Sequence, residues 1–317
     1  MFDKIVLVTK KTQLEELLER FNTKEQAKFY IEHSGSSFVD YEYSHHAYHK
    51  SLSLLKKCLL LEVKHQIVER TFLSNFLFGE KDLVITLGPD GLVVNTARFL
   101  NNQPILAVNP DRSRIDGILL PFEPETVSRK LLGILKGGFD LSEITMVKAK
   151  LNDGQTIYGV NDLFIGAKSH VSARYLIKSG DLIENHSSSG IIVSTGIGST
   201  GWFRSIVTGA RGICKSLHSP PTIVCSDVSD TNPADFRFDW NADYLYFAVR
   251  EPFPSRITKT NLIFGRVTKD RPLQITSCMP DGGIIFSDGI ENDNLEFNSG
   301  RIASINVADK KTRLIKS

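Results

Sequence analysis

Residues 82–108 form the stretch that most constrains the fold. The apolar run Asp82–Leu87 predicts a buried strand, and the glycine-rich loop Gly88-Pro89-Asp90-Gly91 follows it directly. Residues 93–100 then predict a short helix and residues 104–108 a further strand. Backbone N–H groups can approach a phosphate closely in such a loop, and the following helix N-terminus favours negative charge. Because Pro-Asp-Gly also signals an ordinary tight turn, the loop alone leaves both interpretations open.

Alternating strand and helix signals run through the first part of the chain. Two helices are predicted to begin at the capping-box patterns Thr12-x-x-Glu15 and Thr23-x-x-Gln26. A later helix is bracketed by Pro124 and Gly137-Gly138. The other predicted elements are strands at 5–8 and 65–68 and helices at 47–60 and 71–78. This alternation predicts an α/β domain with a mostly parallel sheet and flanking helices.

After Gly138 the pattern becomes predominantly β. Residues 143–151 and 155–160 predict a hairpin around the turn Asn152-Asp153-Gly154. A helix is predicted from about Thr200 towards Ala210. The remaining predicted strands lie at 163–165, 174–177, 191–194, 222–225, 244–249, 274–277, 283–286 and 302–307. We therefore expect a second, β-rich domain.

Composition excludes several classes of partner. The 317 residues carry a net charge of only +2, and the basic residues are scattered, so we expect no nucleic-acid partner. No apolar stretch approaches about 18 residues, so we expect no membrane span. The cysteines at 58, 214, 225 and 278 are far apart, which disfavours a zinc or disulfide framework and favours a reducing cytoplasm.

A second glycine-rich loop follows the strand predicted at 191–194. Its sequence is Thr195-Gly-Ile-Gly-Ser-Thr-Gly-Trp202, and small or hydroxyl side chains in such a loop can hold phosphate or ribose oxygens. The alternative interpretation is a flexible loop. Two distant glycine-rich loops that each lead into a helix favour the functional interpretation.

Three shorter patterns carry little information alone. Asn161-Asp162 and Asp288-Gly289 are each typical of a turn. In His45-His46-x-x-His49, the first and last histidines share a helical face at i, i+4 and could bind a metal. Because no acidic third ligand follows at a telling spacing, the pattern favours a polar helix end, and we predict no metal site.

In this order the motifs resemble those of the NAD kinase family. That family carries a Gly-Gly-Asp-Gly-Thr loop, an Asn-Glu pair, a Gly/Ser/Thr-rich loop that ends in an aromatic residue, and a late Asp-Gly. The corresponding segments here are Gly88–Leu92, Asn161-Asp162, Thr195–Trp202 and Asp288-Gly289. Segments that are similar to the mitochondrial-type branch are Val108–Ser113 with Gly117, Arg250-Glu251-Pro252 and Phe297–Gly300.

The resemblance implies an NAD kinase-like fold and reaction. It implies an α/β domain over residues 1–120, onto which residues from about 301 to 317 pack back, and a β-rich dinucleotide-binding domain over 121–300. The implied reaction transfers the γ-phosphoryl of ATP, with Mg²⁺, to the adenosine ribose 2′-hydroxyl of NAD and yields NADP. The resemblance also implies a homodimer or a larger homo-oligomer.

The matching positions give candidate site residues. A ribose hydroxyl is a poor nucleophile near neutral pH, and Asp90 matches the position of a general base. Gly88 and Gly91 match the phosphate loop, and Asn161 with Asp162 match the pair that binds ribose hydroxyls and adenine. The other positions that match the dinucleotide site are Thr195, Ser199, Thr200, Trp202, Ser205 and Asp288.

Two departures from the family pattern leave alternatives open. Pro89 replaces a glycine and removes one N–H donor, and Leu92 replaces a threonine and removes a hydroxyl. These changes are compatible with an NAD kinase that uses ATP or polyphosphate, or with a non-catalytic NAD(P)-binding or regulatory protein. A related lipid or sugar kinase is a third hypothesis, against which Asn161-Asp162 and the loop ending at Trp202 argue.

Overall fold

The computed structural model describes residues 2–60, 64–216 and 236–317. The chain divides into two compact units, one comprising Met1–Ser142 with Thr312–Ser317 and the other comprising Glu143–Lys311. The boundaries that the resemblance implied lie near 120 and 300. The first unit extends further because the helix after Pro124 packs its apolar face into the first unit's core through Val127, Leu131 and Ile134.

A parallel sheet forms the centre of the first unit. Its strands are β1 (Lys4–Thr9), β2 (His65–Glu69), β3 (Asp82–Leu87) and β4 (Pro104–Val108). β1 lies between β2 and β3, and β3 also pairs with β4. The end of the last strand, at Arg313 and Leu314, adds to β4 in parallel. Every residue of β3 is buried, as expected for a strand that helices cover on both faces.

Helices accompany this sheet as the alternating pattern predicted. They are α1 (Gln13–Phe21), α2 (Lys24–His33), α3 (Phe38–Leu60), α4 (Asp90–Phe99) and α5 (Pro124–Leu135). The capping box at Thr12 is confirmed, because its side chain accepts from Glu15 N–H while the Glu15 carboxylate accepts from Thr12 N–H. The predicted α/β fold class is thus confirmed for this unit.

Two sheets build the second unit among the described residues. One has the strand order β16 (Ile302–Ile315), β13 (Leu273–Ser277), β8 (Ala173–Ser179) and β9 (Leu182–Ser188). In addition, β5 (Leu141–Leu151) pairs with β16 and with β6 (Thr156–Gly159). The other has the order β12 (Phe264–Thr268), β11 (Tyr244–Val249), β10 (Ile191–Ser194), β7 (Asp162–Ala167), β14 (Gly283–Ser287) and β15 (Asn294–Glu296). Both sheets contribute to one apolar core, which includes Ile165, Tyr175 and Phe247. The predicted β-rich character is confirmed.

Several predicted elements differ in detail from the structure. The helix predicted over 71–78 is only a 3-10 turn at Arg70–Asn75, and α3 begins nine residues earlier than the predicted position 47. Strand β9 was not predicted, because its first residues, Leu182 and Ile183, are exposed and break the expected alternation. The helix after the second glycine-rich loop is α6 (Trp202–Ser216). The strand predicted at 222–225 lies outside the described residues.

Within the described ranges, no helix combines the length and apolar character that a membrane crossing requires.

Candidate functional site

In the first unit, the loop after β3 carries the candidate catalytic residue. Asp90 is the first residue of α4 and is half-buried, and its Oδ1 accepts a hydrogen bond of 2.8 Å from the Leu119 N–H. The first N–H groups of a helix lack intrahelical partners, so those at the start of α4 are donors suited to an anion. The loop therefore places an oriented carboxylate at a helix N-terminus.

Pro89 fits this loop without strain. It occupies the N-cap position of α4 with φ −71° and ψ 169°, a conformation that its ring already favours. Its carbonyl still accepts from Leu92 N–H at 2.8 Å, so the first turn of α4 closes normally. Proline at this position therefore removes one N–H donor and is compatible with the start of α4.

The side chain of Leu92 packs closely against the backbone at Gly88. This side chain is buried, and a Cβ on Gly88 would lie only 2.8 Å from Leu92 Cδ2. The side chain that replaces the family threonine therefore faces the packed interior. Gly91 is exposed, and a Cβ added at that position would meet nothing within 4 Å, so the backbone there is open to approach.

A cavity of about 410 Å³ in the first unit borders the loop at Pro89. Lys10, which directly follows β1, and Arg114 line it together with Tyr48 and Asp111. The Arg114 guanidinium contacts Asp40 at 2.7 Å. Two cationic side chains beside a helix N-terminus suit a phosphate-bearing ligand.

In the second unit, Asp288 holds the segment that contains Asn161 and Asp162. Its carboxylate accepts hydrogen bonds from the backbone N–H groups of Val160 at 3.0 Å, Asn161 at 2.7 Å and Asp162 at 3.4 Å. In return, Asp288 N–H donates to the Asp162 carbonyl at 3.1 Å. These bonds show that the Asp288 carboxylate shapes the Asn161-Asp162 turn, and its place in the dinucleotide site, which the resemblance implies, stays a prediction.

Asp162 has an unusual environment for a carboxyl group. The residue is only 6% exposed, and Asp288 is a second acid beside it. Burial, reinforced by the Asp288 charge, raises the pKa of Asp162 from 3.8 to about 7. A carboxyl group with a pKa near neutrality in a predicted ligand site marks a functional candidate.

The second glycine-rich loop packs directly against this turn. Thr195 is fully buried, its N–H donates to the Asn161 carbonyl at 2.9 Å, and its Oγ1 donates to the Val160 carbonyl at 2.6 Å. A Cβ on Gly198 would overlap the Asn161 carbonyl oxygen. Ser199 is also buried, and its Oγ donates to the Gly196 carbonyl. These hydroxyls build the loop, which brings three separate sequence motifs together.

The remaining predicted residues of this unit lie at the start of α6. Thr200 and Ser205 are exposed, and Thr200 Oγ1 donates to the Ile197 carbonyl. Trp202 is half-buried and stacks on Phe164 with ring centroids 5.7 Å apart. The guanidinium carbon of Arg250 lies 5.1 Å from the Trp202 ring centroid. These contacts give Trp202 a packing role, and its contact with a dinucleotide stays a prediction.

Sequence reasoning missed two supporting groups. The Leu119 N–H that orients Asp90 has no side-chain signal, since any residue except proline supplies one. Asn109, in the segment that resembles the mitochondrial-type branch, donates through Nδ2 to the Ile115 carbonyl and accepts at Oδ1 from Asp111 N–H. This side chain organises the loop that leads to Leu119, a role that the Asn-Pro-Asp turn pattern could have suggested.

Part of the chain is similar in sequence to curated NAD kinases. The chain is 33% identical over 138 residues to the NAD kinase of Acinetobacter baylyi, a match that covers 41% of this chain and 44% of that protein. It is also 33% identical over 129 residues to the NAD kinase of Clostridium kluyveri, with 38% and 44% covered. The matches thus span less than half the length of these relatives. No protein-family model matches the chain.

Solved structures extend the likeness over the whole fold. An NAD kinase from Archaeoglobus fulgidus in complex with ATP superposes with a TM-score of 0.56 at 15% identity, covering 99% of this chain and 93% of that one. A yeast NADH kinase complexed with NADH gives a TM-score of 0.54 at 14% identity, covering 99% and 83%. The structural likeness establishes the fold, and the curated relatives that match part of the chain are NAD kinases.

Proposed function

We propose that the protein is an NAD kinase that transfers the γ-phosphoryl group of ATP to the adenosine ribose 2′-hydroxyl of NAD and yields NADP. The observation that carries this proposal is Asp90, a carboxylate oriented by Leu119 N–H at the start of α4. The curated NAD kinases that match the sequence support the choice of substrate.

Asp90 would act as the general base. The 2′-hydroxyl oxygen attacks the γ-phosphorus, its proton passes to the Asp90 carboxylate, and the bond from phosphorus to the ADP leaving oxygen breaks. Positioned general-base assistance typically contributes about 10²–10⁴-fold in rate. The N–H groups at the start of α4 would stabilise charge on the transferred phosphoryl.

Residues of the second unit would bind the dinucleotide. Asn161 offers amide donors and an acceptor, and ionised Asp162 accepts hydrogen bonds from ribose hydroxyls or an adenine amino group. Thr200 and Ser205, which are exposed at the start of α6, are further candidate contacts. Thr195, Ser199 and Asp288 would act indirectly by holding the backbone of this site.

The phosphoryl donor would enter the cavity beside Pro89. Lys10 and Arg114 would neutralise its phosphates, and Mg²⁺ would arrive with ATP as part of the substrate. Polyphosphate presents the same repeating anionic groups, so the cavity suits either donor. The loss of one N–H at Pro89 would weaken donor binding by about one to two decades, since a hydrogen bond to a charged group is worth roughly 1.5–3 kcal/mol.

The finer features of the proposal concern branch, assembly and compartment. We propose placement in the mitochondrial-type branch, on the similarity of the segment Val108–Ser113, which contains Asn109, to that branch. We further propose a homodimer or larger homo-oligomer, which light scattering would test. The cysteines at 58, 214 and 278 form no disulfide, which suits a reducing cytoplasm.

A coupled NADP assay tests the function directly. Purified full-length protein is incubated with NAD, Mg²⁺ and either ATP or polyphosphate, and NADP is detected with an NADP-specific dehydrogenase. We expect NADP formation, and a loss of about 10²–10⁴-fold in kcat for Asp90→Asn with little change in NAD affinity. Asp116→Asn, which changes an exposed aspartate between β4 and Leu119, is the matched control.

The two other hypotheses make different predictions in the same assay. A non-catalytic NAD(P)-binding protein would show a thermal shift with NAD but form no NADP with either donor. A lipid or sugar kinase would phosphorylate those alcohols in preference to NAD. The intact loop geometry at Pro89 gives neither hypothesis specific support.

A further inference from the structure

Three side chains in the first unit form a cluster with metal-binding chemistry. His45 and His49 lie one turn apart on α3, with ring centroids 4.3 Å apart, and Glu15 lies on α1. Among the described residues, Glu15, His45 and His49 form a group in which one potential ligand atom from each lies within 4.8 Å of the others. None of the three belongs to the proposed kinase site.

Thr12 fixes the orientation of this cluster. Its N–H donates to Glu15 Oε2 at 2.7 Å, which leaves Glu15 Oε1 directed at His49 Nε2, 3.0 Å away. Its hydroxyl lies 2.8 Å from His45 Nδ1. One carboxylate oxygen is thus held by the capping box while the other faces an imidazole. Metal-binding side chains are commonly oriented by hydrogen bonds of this kind from neighbouring groups.

We propose that Glu15, His45 and His49 bind a zinc-class divalent ion that fastens α1 to α3. Two imidazoles and one carboxylate form a known zinc-ligand set, with ligand atoms about 2.0–2.2 Å from the ion. Tetrahedral geometry then requires ligand atoms about 3.4 Å apart. The distance of 3.0 Å between Glu15 Oε1 and His49 Nε2 is close to that value. The side chains are half-exposed, so they can rotate to bring all three ligand atoms to the tetrahedral spacing.

The chemistry favours zinc over magnesium at this position. Imidazole nitrogen suits Zn²⁺, Ni²⁺ and Co²⁺, whereas Mg²⁺ prefers oxygen ligands and retains its waters. The side chains of His49 and Glu15 are 41% and 33% exposed, so an ion can enter from solvent and a water can complete its shell. The competing interpretation is a hydrogen-bonded network that only caps α1.

Zinc titration of the full-length protein tests the proposal. Metal is first removed with a chelator and dialysis, and Zn²⁺ binding is then measured by competition with a chromophoric chelator. We expect one equivalent of Zn²⁺, loss of that equivalent in His45→Ala, His49→Ala and Glu15→Gln, and no comparable binding of Mg²⁺. His46→Ala is the matched control, because His46 neighbours His45 on α3 but lies outside the cluster.

Two further measurements distinguish this zinc site from a simple helix cap and from zinc bound by cysteines. Circular dichroism and thermal unfolding without metal establish that each variant is folded, and Zn²⁺ should raise the Tm of wild type and His46→Ala but not of folded His49→Ala. With Co²⁺, we expect d–d absorption without a thiolate charge-transfer band, as for nitrogen and oxygen ligands. Absence of Zn²⁺ binding, undiminished binding by the His45 and His49 variants, or a thiolate band would overturn the proposal.

Discussion

Replacement of Asp162 by asparagine should stabilise the ligand-free protein. The pKa of Asp162 rises from 3.8 to about 7 in the folded chain, first because of burial and then because of the Asp288 charge. A difference of about three pH units corresponds to about 4 kcal/mol of folding free energy at pH values above both pKa values. Asparagine has a similar shape and no charge, so it escapes this penalty.

The pH dependence has a definite sign. Because the folded state holds the Asp162 proton more tightly than the unfolded state, the free energy of unfolding falls as the pH rises from about 4 to about 7. Between pH 5 and pH 8, ionisation of Asp162 should lower the free energy of unfolding of the wild type by about 2–3 kcal/mol. The advantage of Asp162→Asn over wild type should therefore grow by that amount over this interval.

Urea unfolding followed by tryptophan fluorescence measures the effect. The chain contains two tryptophans, Trp202 and Trp240, and both belong to the second unit, so the signal reports on the unit that contains Asp162. Asp181→Asn, in the exposed turn between β8 and β9, is the matched control and should show the pH dependence of the wild type. An advantage for Asp162→Asn that is equal at pH 5 and pH 8 would refute the raised pKa.

NAD binding should favour aspartate over asparagine at position 162. If ribose hydroxyls donate to Asp162, NAD binds best to the ionised carboxylate, and its affinity for the wild type should rise as the pH increases through about 7. Asp162→Asn should bind NAD more weakly, with little pH dependence in this range. Calorimetric titrations at pH 6 and pH 8 measure this, and equal pH dependence in both proteins would exclude Asp162 from the contact.

Three other substitutions test the loops. Gly198→Ala should cost about 1–3 kcal/mol and abolish NAD binding, since its Cβ would overlap the Asn161 carbonyl oxygen. Gly209→Ala is the matched control and should be tolerated in urea unfolding and NAD titration, because Gly209 lies in α6 and its Cβ would meet nothing within 4 Å. Pro89→Gly should lower the KM for ATP by about ten- to hundredfold and reduce stability by about 0.4–1 kcal/mol, and an unchanged KM would show that the restored N–H does not contact the donor. Asp288→Asn should lower the pKa of Asp162, measured by carbonyl-carbon NMR, because it removes the neighbouring charge.

Local sequence patterns predicted most of the first unit because its signals are short-range. The capping box at Thr12, the buried run at 82–87 and the proline and glycine around α5 each depend on neighbouring residues. The hairpin at 143–160 was equally predictable, since Gly154 adopts the φ of +93° that its turn requires. Elements without such signals were missed, as with β9, whose apolar residues at 182 and 183 are exposed.

The candidate site was only partly predictable because its supporting contacts join residues far apart in the chain. Asp288 contacts Asn161 across 127 positions, and the Leu119 amide reaches Asp90 across 29. The proposed zinc ligands show the same limit, because Glu15 lies 30 positions before His45 on another helix. A linear pattern identifies residues of suitable chemistry, but folding decides which of them meet.

The contrast between Asp162 and Asp288 leads us to propose a structural role for the Asp288 carboxylate and a ligand-binding role for the Asp162 carboxylate. The backbone N–H groups of residues 160–162 stabilise the Asp288 carboxylate, and its left-handed φ of 56° is one that aspartate tolerates. Asp162 instead raises the free energy of the folded state near neutral pH. Asparagine would serve the fold better at position 162, so the charge there is best explained by a ligand whose hydroxyl or amino donors stabilise it. We therefore propose that Asp162 destabilises the ligand-free protein and, in exchange, selects ligands that donate hydrogen bonds.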